Sequence, residues 1–297
     1  FSPGVVAGFH WLVQMLTEEN DAVIVNTPVY YPFLDAVKNN HRTLICSDLK
    51  NENGIYTIDF EDFEKKIIEH NVKLFILCSP HNPAGRVWKK EELKRLFEIC
   101  KKHHVFVVSD EIHQDLVFGE NKHIPSLSIG DYDDMMVSIA AASKTFNIAG
   151  AQNSMVIIPD KKLRKKWDAY TKGNRIQGGN TFGYVAAQAA YAGGKEWLDQ
   201  VLKQIDENYR YLKAELAEKM PEAIVTPLEG TYLCWINLKA YVSADDIKEV
   251  IQKKCHLAVD YGDWFGGERF GTFIRMNLAT SMENVKTGVE ALINNLK

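Results

Sequence analysis

Six short apolar runs, separated by helical patterns, constrain this chain more than any other feature. They are AVIVN (22–26), RTLICS (42–47), KLFILC (73–78), VFVVS (105–109), MVSIA (136–140) and NSMVII (153–158). Each is nearly continuous rather than alternating, which predicts strands buried on both faces. Residues 59–70 follow an Asp59 cap at helical spacing, and 89–103 carry Leu93, Leu96, Phe97 and Cys100 on one face. Gly4 to Glu19 reads as a further helix, with Pro3 near its start and Val6, Phe9, Val13 and Leu16 repeating along one side. Strand alternating with helix predicts an α/β fold with a mostly parallel sheet covered by helices.

The character changes after about residue 160. LRKKWDAYTK, TFGYVAAQAAYA and the long amphipathic KEWLDQVLKQIDENYRYLKAELAEKM are helical patterns, with the lysines and Arg164 of 161–166 on a solvated face. TYLCWINL (231–238) and TFIRMN (272–277) read as strands, Ser243 as a helix cap, and Thr280 with Glu283 as a capping box for the last helix. The expected division is a large unit over 1–200 and a smaller α+β unit over 201–297. A net charge of −4 and the absence of a basic patch give no electrostatic footprint for nucleic acid. No apolar run is long enough for a helical membrane span. Five widely spaced cysteines, mostly inside apolar runs, fit the reduced thiols of a cytoplasmic protein better than disulfides or a zinc site. The histidines form no convincing metal-ligand spacing, and His103-His104 reads as a helix end. The chain opens in mid-motif at Phe1-Ser2-Pro3-Gly4, so a preceding segment is expected.

Ligands of open α/β sheets collect beyond the carboxyl ends of the strands. There this sequence places Tyr30 and Tyr31, then Ser79-Pro80-His81-Asn82, then Asp110-Glu111-Ile112-His113, then Ser143-Lys144. Lys144 lies just past a strand, among small and apolar neighbours, a setting that disfavours the ammonium form and frees a nucleophilic amine. Such an amine suits imine formation with a carbonyl, above all with pyridoxal phosphate (PLP). A carboxylate to keep the pyridine nitrogen protonated, a donor for the ring hydroxyl and an aromatic over the ring face complete what PLP needs.

SPHNPAGRVW, SDEIH and SKTFNIAG, in this order, resemble the fold-type I PLP enzymes of the class I/II aminotransferase superfamily. Within it they are most similar to the cystathionine β-lyase-like C–S lyases, the MalY/PatB group. TPVYYPF, the opening SPGVV and FIRMN fit the same pattern, and the likeness runs over essentially all of the chain. The resemblance implies an aspartate aminotransferase-like large domain with a smaller C-terminal one. It implies that Lys144 forms the imine with the cofactor and shuttles protons, with Tyr30 as the second catalytic candidate. Asp110 would pair with the pyridine nitrogen, Asn82 would donate to the ring oxygen, and Tyr30, or alternatively Tyr31, would stack on the ring. Backbone amides of Gly4, Val5 and Val6 at a helix start, with the Ser143 hydroxyl, would hold the phosphate. Arg275 would clamp the substrate α-carboxylate. His113 stands where many aminotransferases have tyrosine, a form common among the C–S lyases. Ala141 and Gln152 replace a serine and a basic residue that bind phosphate in many members.

The expected reaction is β-elimination from an L-cysteine S-conjugate such as L-cystathionine, giving thiol, pyruvate and ammonia. Transamination between an amino acid and a 2-oxo acid shares the first half of that chemistry and is the alternative. A PLP-fold binding or regulatory module is the alternative of another class. The resemblance also implies a homodimer with sites at the subunit interface.

Overall fold

The computed structural model describes residues 1–176 and 178–296. The apolar runs form the parallel part of a six-stranded sheet: β1 (Ala22–Thr27), β2 (Thr43–Asp48), β5 (Leu74–Cys78), β6 (Phe106–Asp110) and β7 (Met136–Ala140), with β8 (Met155–Ile157) antiparallel at one edge. A small hairpin, β3 (Lys50–Glu52) with β4 (Ile55–Thr57), follows β2. Strand order is β2-β1-β5-β6-β7-β8. The chain therefore runs outward from β1 to β2 and returns to the other side of β1, leaving a switch point between β1 and β5.

Alternate residues of the central strands feed two apolar layers. Ile24, Phe75, Leu77, Val107 and Met136 pack under α3 (Phe60–Glu69) and α4 (Lys90–Lys102), with Phe63, Leu93, Leu96 and Phe97 facing them. Val23, Val25, Ile76, Val108 and Ile139 pack on the opposite face against α1 (Val5–Leu16), α2 (Tyr31–Lys38) and α6 (Lys161–Gly173). Burial on both faces is why β1, β5, β6 and β7 read as unbroken apolar runs. The same expectation fails at the two edges. In β2 the two end residues, Thr43 and Asp48, are exposed although α2 and α3 flank the strand, and in the antiparallel edge strand β8 Met155 and Ile157 are each 44% exposed.

Helix starts follow the sequence closely. Asp59 accepts from the Asp62 N–H at 3.1 Å, and Asp160 caps α6 through the N–H groups of Lys162 and Leu163. The first helix ends at Leu16, the last residue of its apolar repeat, rather than at Glu19. His103 follows α4 as expected, and its ring also bonds Glu64 Oε1 at 2.9 Å. The last helix, α10 (Met282–Leu296), is capped one residue later than its box suggests: Ser281 Oγ, not Thr280, accepts from the Asn284 N–H.

After α7 (Thr181–Gly193), the long α8 (Lys195–Lys219) leads into a second, antiparallel sheet. Its strands are β9 (Ile224–Val225), β10 (Leu233–Asn237), β11 (Asp260–Tyr261) and β12 (Phe273–Asn277), in order β11-β12-β10-β9, with the short α9 (Ile247–Glu249) between β10 and β11. Cys234, Ile236, Ile274 and Met276 share a core with α8 and α10. The alternate residues Trp235 and Phe273 join the α3–α4 layer of the first sheet, and Trp235 Nε1 donates to Tyr56 Oη at 3.0 Å. The strand period of two thus turns Arg275, in register with Trp235, toward the first sheet.

Candidate active site

The carboxyl ends of β1, β5, β6 and β7 open into a cavity of about 580 Å³, closed on its far side by β10–β12. The candidate cofactor- and substrate-binding residues Gly4, Val5, Val6, Tyr30, Asn82, Asp110, His113, Ser143, Lys144 and Arg275 line it. Gln152 also reaches the cavity, whereas Ala141 is the buried N-cap of α5 (Ala142–Thr145) and does not line it.

Lys144 sits on α5, one short turn past β7. The turn is fixed by Thr145, whose hydroxyl donates to Asp115 Oδ2 at 2.8 Å. Burial lowers the Lys144 pKa, the Arg275 guanidinium lowers it further, and Asp110 opposes both. Asp110 ends β6, and its Oδ1 accepts from the Ile112 N–H at 3.0 Å. The same carboxylate therefore serves the local turn and faces the cavity. Burial pushes its pKa up to about 7, so it holds its proton far more readily than an ordinary aspartate unless a cation comes to meet it. The neighbouring Glu111 is turned away from the cavity, accepting from the Ser126 N–H and bonding His123, each at 3.0 Å. His113 is buried against the Tyr232 ring, and burial pushes its pKa down to about 3, with Lys144 and Arg275 adding to the effect. It is neutral, and its Nδ1 has no partner among the described residues.

Asn82 and Tyr30 are fixed to one another, the Tyr30 N–H donating to the Asn82 carbonyl at 3.0 Å. His81 supports the pair from behind, with its Nε2 2.8 Å from the Pro28 carbonyl. Gly85, at φ +65, closes the loop after Asn82, and a Cβ there would lie 3.0 Å from the Pro227 carbonyl oxygen. Of the two adjacent tyrosines, Tyr30 faces the cavity; Tyr31 packs on Trp264 and Phe265. Burial, then Tyr31, raises the Tyr30 pKa to about 12, so its hydroxyl stays protonated near neutrality. Arg275 enters from β12, and its Nη1 donates to Asn82 Oδ1 at 2.8 Å.

The family model for aminotransferase class I and II matches residues 1–292. The chain belongs to this family. It is 40% identical over 294 residues to cystathionine beta-lyase PatB of Bacillus subtilis, covering 98% of this chain and 76% of that one. Its structure is similar to that of cystalysin from Treponema denticola, which contains a pyridoxal 5'-phosphate cofactor. The TM-score there is 0.96 at 37% identity, covering 99% and 75% of the two chains. It is also similar to a PLP-bound C–S lyase from Staphylococcus hominis, with TM-score 0.94 at 36% identity, covering 100% and 73%.

Among the residues of this aminotransferase-family cavity that escaped the sequence reading are Tyr232, Asn277 and Asp260. Asn277 lies two residues after Arg275 on one strand, so the period of two could have found it. Asp260 occupies a two-residue strand with no readable pattern, and it ion-pairs with Arg275 Nη2. Among the described residues, no cluster could hold a metal ion and no helix is long and apolar enough to cross a membrane.

Proposed function

We propose that this chain is a PLP-dependent C–S β-lyase that converts L-cystathionine or a related L-cysteine S-conjugate to thiol, pyruvate and ammonia. The observation that carries the lyase reading is the 40% identity to cystathionine beta-lyase PatB over 98% of this chain, and Asp110 supports the cofactor. A carboxylate this deeply buried, with its pKa raised to about 7, is matched by a protonated pyridine nitrogen. The rest of the donor set fits the same cofactor. Lys144 offers an amine inclined to lose its proton, and Asn82 still has an amide N–H₂ to donate while its oxygen accepts from Arg275. The first-turn N–H groups of α1 have no intrahelical partners and suit a phosphate, with the Ser143 hydroxyl beside them. Tyr30 offers a ring face and, in this reading, touches the reacting groups.

When bound, the cofactor acts as an electron sink that stabilises negative charge at the substrate Cα. Arg275 orients the substrate through its α-carboxylate. Lys144, as a free amine, takes the Cα proton. Asp110 holds a proton on the ring nitrogen, and Asn82 and Tyr30 keep the ring in place. His113, being neutral, adds no charge that would compete with Lys144 for protons.

The purified protein loaded with PLP should release thiol and pyruvate from L-cystathionine with no 2-oxo acid added. Amino transfer that requires a 2-oxo acid and yields no thiol would replace the lyase reading with the aminotransferase one.

The reading extends to a homodimer in the cytoplasm. Helix α7 leaves Phe182 85% and Val185 59% exposed, with Tyr184 and Tyr191 also exposed along it, a run of apolar side chains of the kind that marks an interface. Light scattering should give twice the chain mass, and Phe182→Asp should shift the protein toward monomer; a wild-type monomer at micromolar concentration would refute this part. All five cysteines are unpaired, in keeping with a reducing compartment. Residues 1–200 would form the cofactor-holding unit and 201–297 the smaller unit supplying Arg275, a division that separate calorimetric transitions would report.

A further inference from the structure

The fork of Arg275 is already engaged. Nη1 donates to Asn82 Oδ1 at 2.8 Å, Nη2 is ion-paired with Asp260 Oδ2, and Nε is buried without a partner among the described residues. Asp260 lies directly opposite Arg275 in the β11–β12 ladder and lines the cavity beside it. Its side chain is 27% exposed against 9% for Arg275, which puts the carboxylate on the wetter side of the pair.

A substrate carboxylate is gripped by two parallel N–H donors of a guanidinium. With Nη1 held by Asn82, the remaining adjacent donors are Nε and Nη2, and Nη2 is the one Asp260 holds. Nη2 carries two N–H groups, but two carboxylates crowded onto one nitrogen repel each other, which favours displacement of Asp260 by the incoming group. That leaves an anion in a partly enclosed cavity with its cation taken, an arrangement that costs free energy unless a new partner arrives.

We propose that Asp260 is a specificity-determining residue: displaced from Arg275 by the α-carboxylate, it receives an ammonium group carried on the thiol side of the substrate. The class selected is L-cysteine S-conjugates whose leaving thiol bears a primary amine, and this deepens the β-lyase reading on which it rests. L-cystathionine belongs to that class; S-(3-carboxypropyl)-L-cysteine is the same molecule without the distal amine.

The test compares these two conjugates by calorimetry, on PLP-loaded protein carrying Lys144→Ala so that nothing is consumed, alongside thiol release by protein with Lys144 intact. Cystathionine should bind about tenfold more tightly than the desamino conjugate, the factor expected from one charge-assisted hydrogen bond. Asp260→Asn should bring the ratio below about twofold on the same scale, mainly by tightening the desamino conjugate, and Asp260→Glu should restore the preference. A merely structural role would weaken both conjugates together and leave their ratio unchanged, which would overturn the proposal. Selective binding without thiol release from either conjugate would remove the lyase reading and leave the role of Asp260 standing. Thiol release with an unchanged ratio in Asp260→Asn would do the reverse.

Discussion

Lys144→Ala should lower kcat/KM for L-cystathionine by at least about 10³-fold, since it removes both the covalent attachment point and the base for the Cα proton. The loss should fall on chemistry rather than on folding. Lys144 is only partly buried, it makes no salt bridge among the described residues, and its ammonium form is disfavoured where it stands. The thermal midpoint should therefore stay close to that of the parent protein. Lys144→Arg is the sharper control, because a guanidinium keeps the charge yet cannot act as a base near neutral pH. Comparable loss in both variants, with circular dichroism unchanged, would assign the defect to proton transfer and attachment. An alanine variant retaining more than about a tenth of the activity would show that another group is the base.

Asp110→Asn should cost about 10²–10³-fold in kcat, the usual loss when a preorganised charge opposite a developing charge is removed. Its effect on the cofactor-free protein should have the opposite sign. The folded-state pKa of about 7 lies above the ordinary aspartate value of 3.8, so the folded chain binds more protons than the unfolded chain between those limits. Stability from this group is greatest below about pH 4, falls as pH rises toward 7, and is level above it. At pH 7.5 the neutral asparagine escapes that penalty, and the cofactor-free variant should be more stable than its parent by about 1–4 kcal/mol in urea denaturation. PLP should reverse the order by raising the parent's midpoint more than the variant's. Equal stability of the two cofactor-free proteins at pH 7.5 would show that the carboxylate is better solvated than its surroundings imply.

Much of this was legible in the chain because strand ends announce themselves. Asp110 and Lys144 directly follow or closely trail runs that can only be interior, and a charged group there has few reasons to exist other than chemistry. Tyr30 and Asn82, named by the same logic, line the same cavity. The sequence could not say which strands would lie at an edge, because edge position depends on order in the sheet and not on local composition. Hence β2 and β8 were read as fully covered when each has exposed residues. Tyr30 and Tyr31 could not be told apart by pattern, since the choice depends on where α2 begins. Asp260 was invisible for a related reason. Its partner lies 15 residues away across an antiparallel ladder, in a strand too short to carry a periodic signal.

The hydrogen bond from Arg275 Nη1 to Asn82 Oδ1 joins the two sheets inside the cavity. In the proposed reading, one end of that bond belongs to a group that meets the substrate and the other to a group that meets the cofactor. The two ligands then cannot be independent. Whatever factor a carboxylate on Arg275 exerts on the affinity for PLP, PLP must exert on the affinity for that carboxylate. Asn82 is the hinge of that reciprocity, and substituting it should change not just two affinities but their cross-talk.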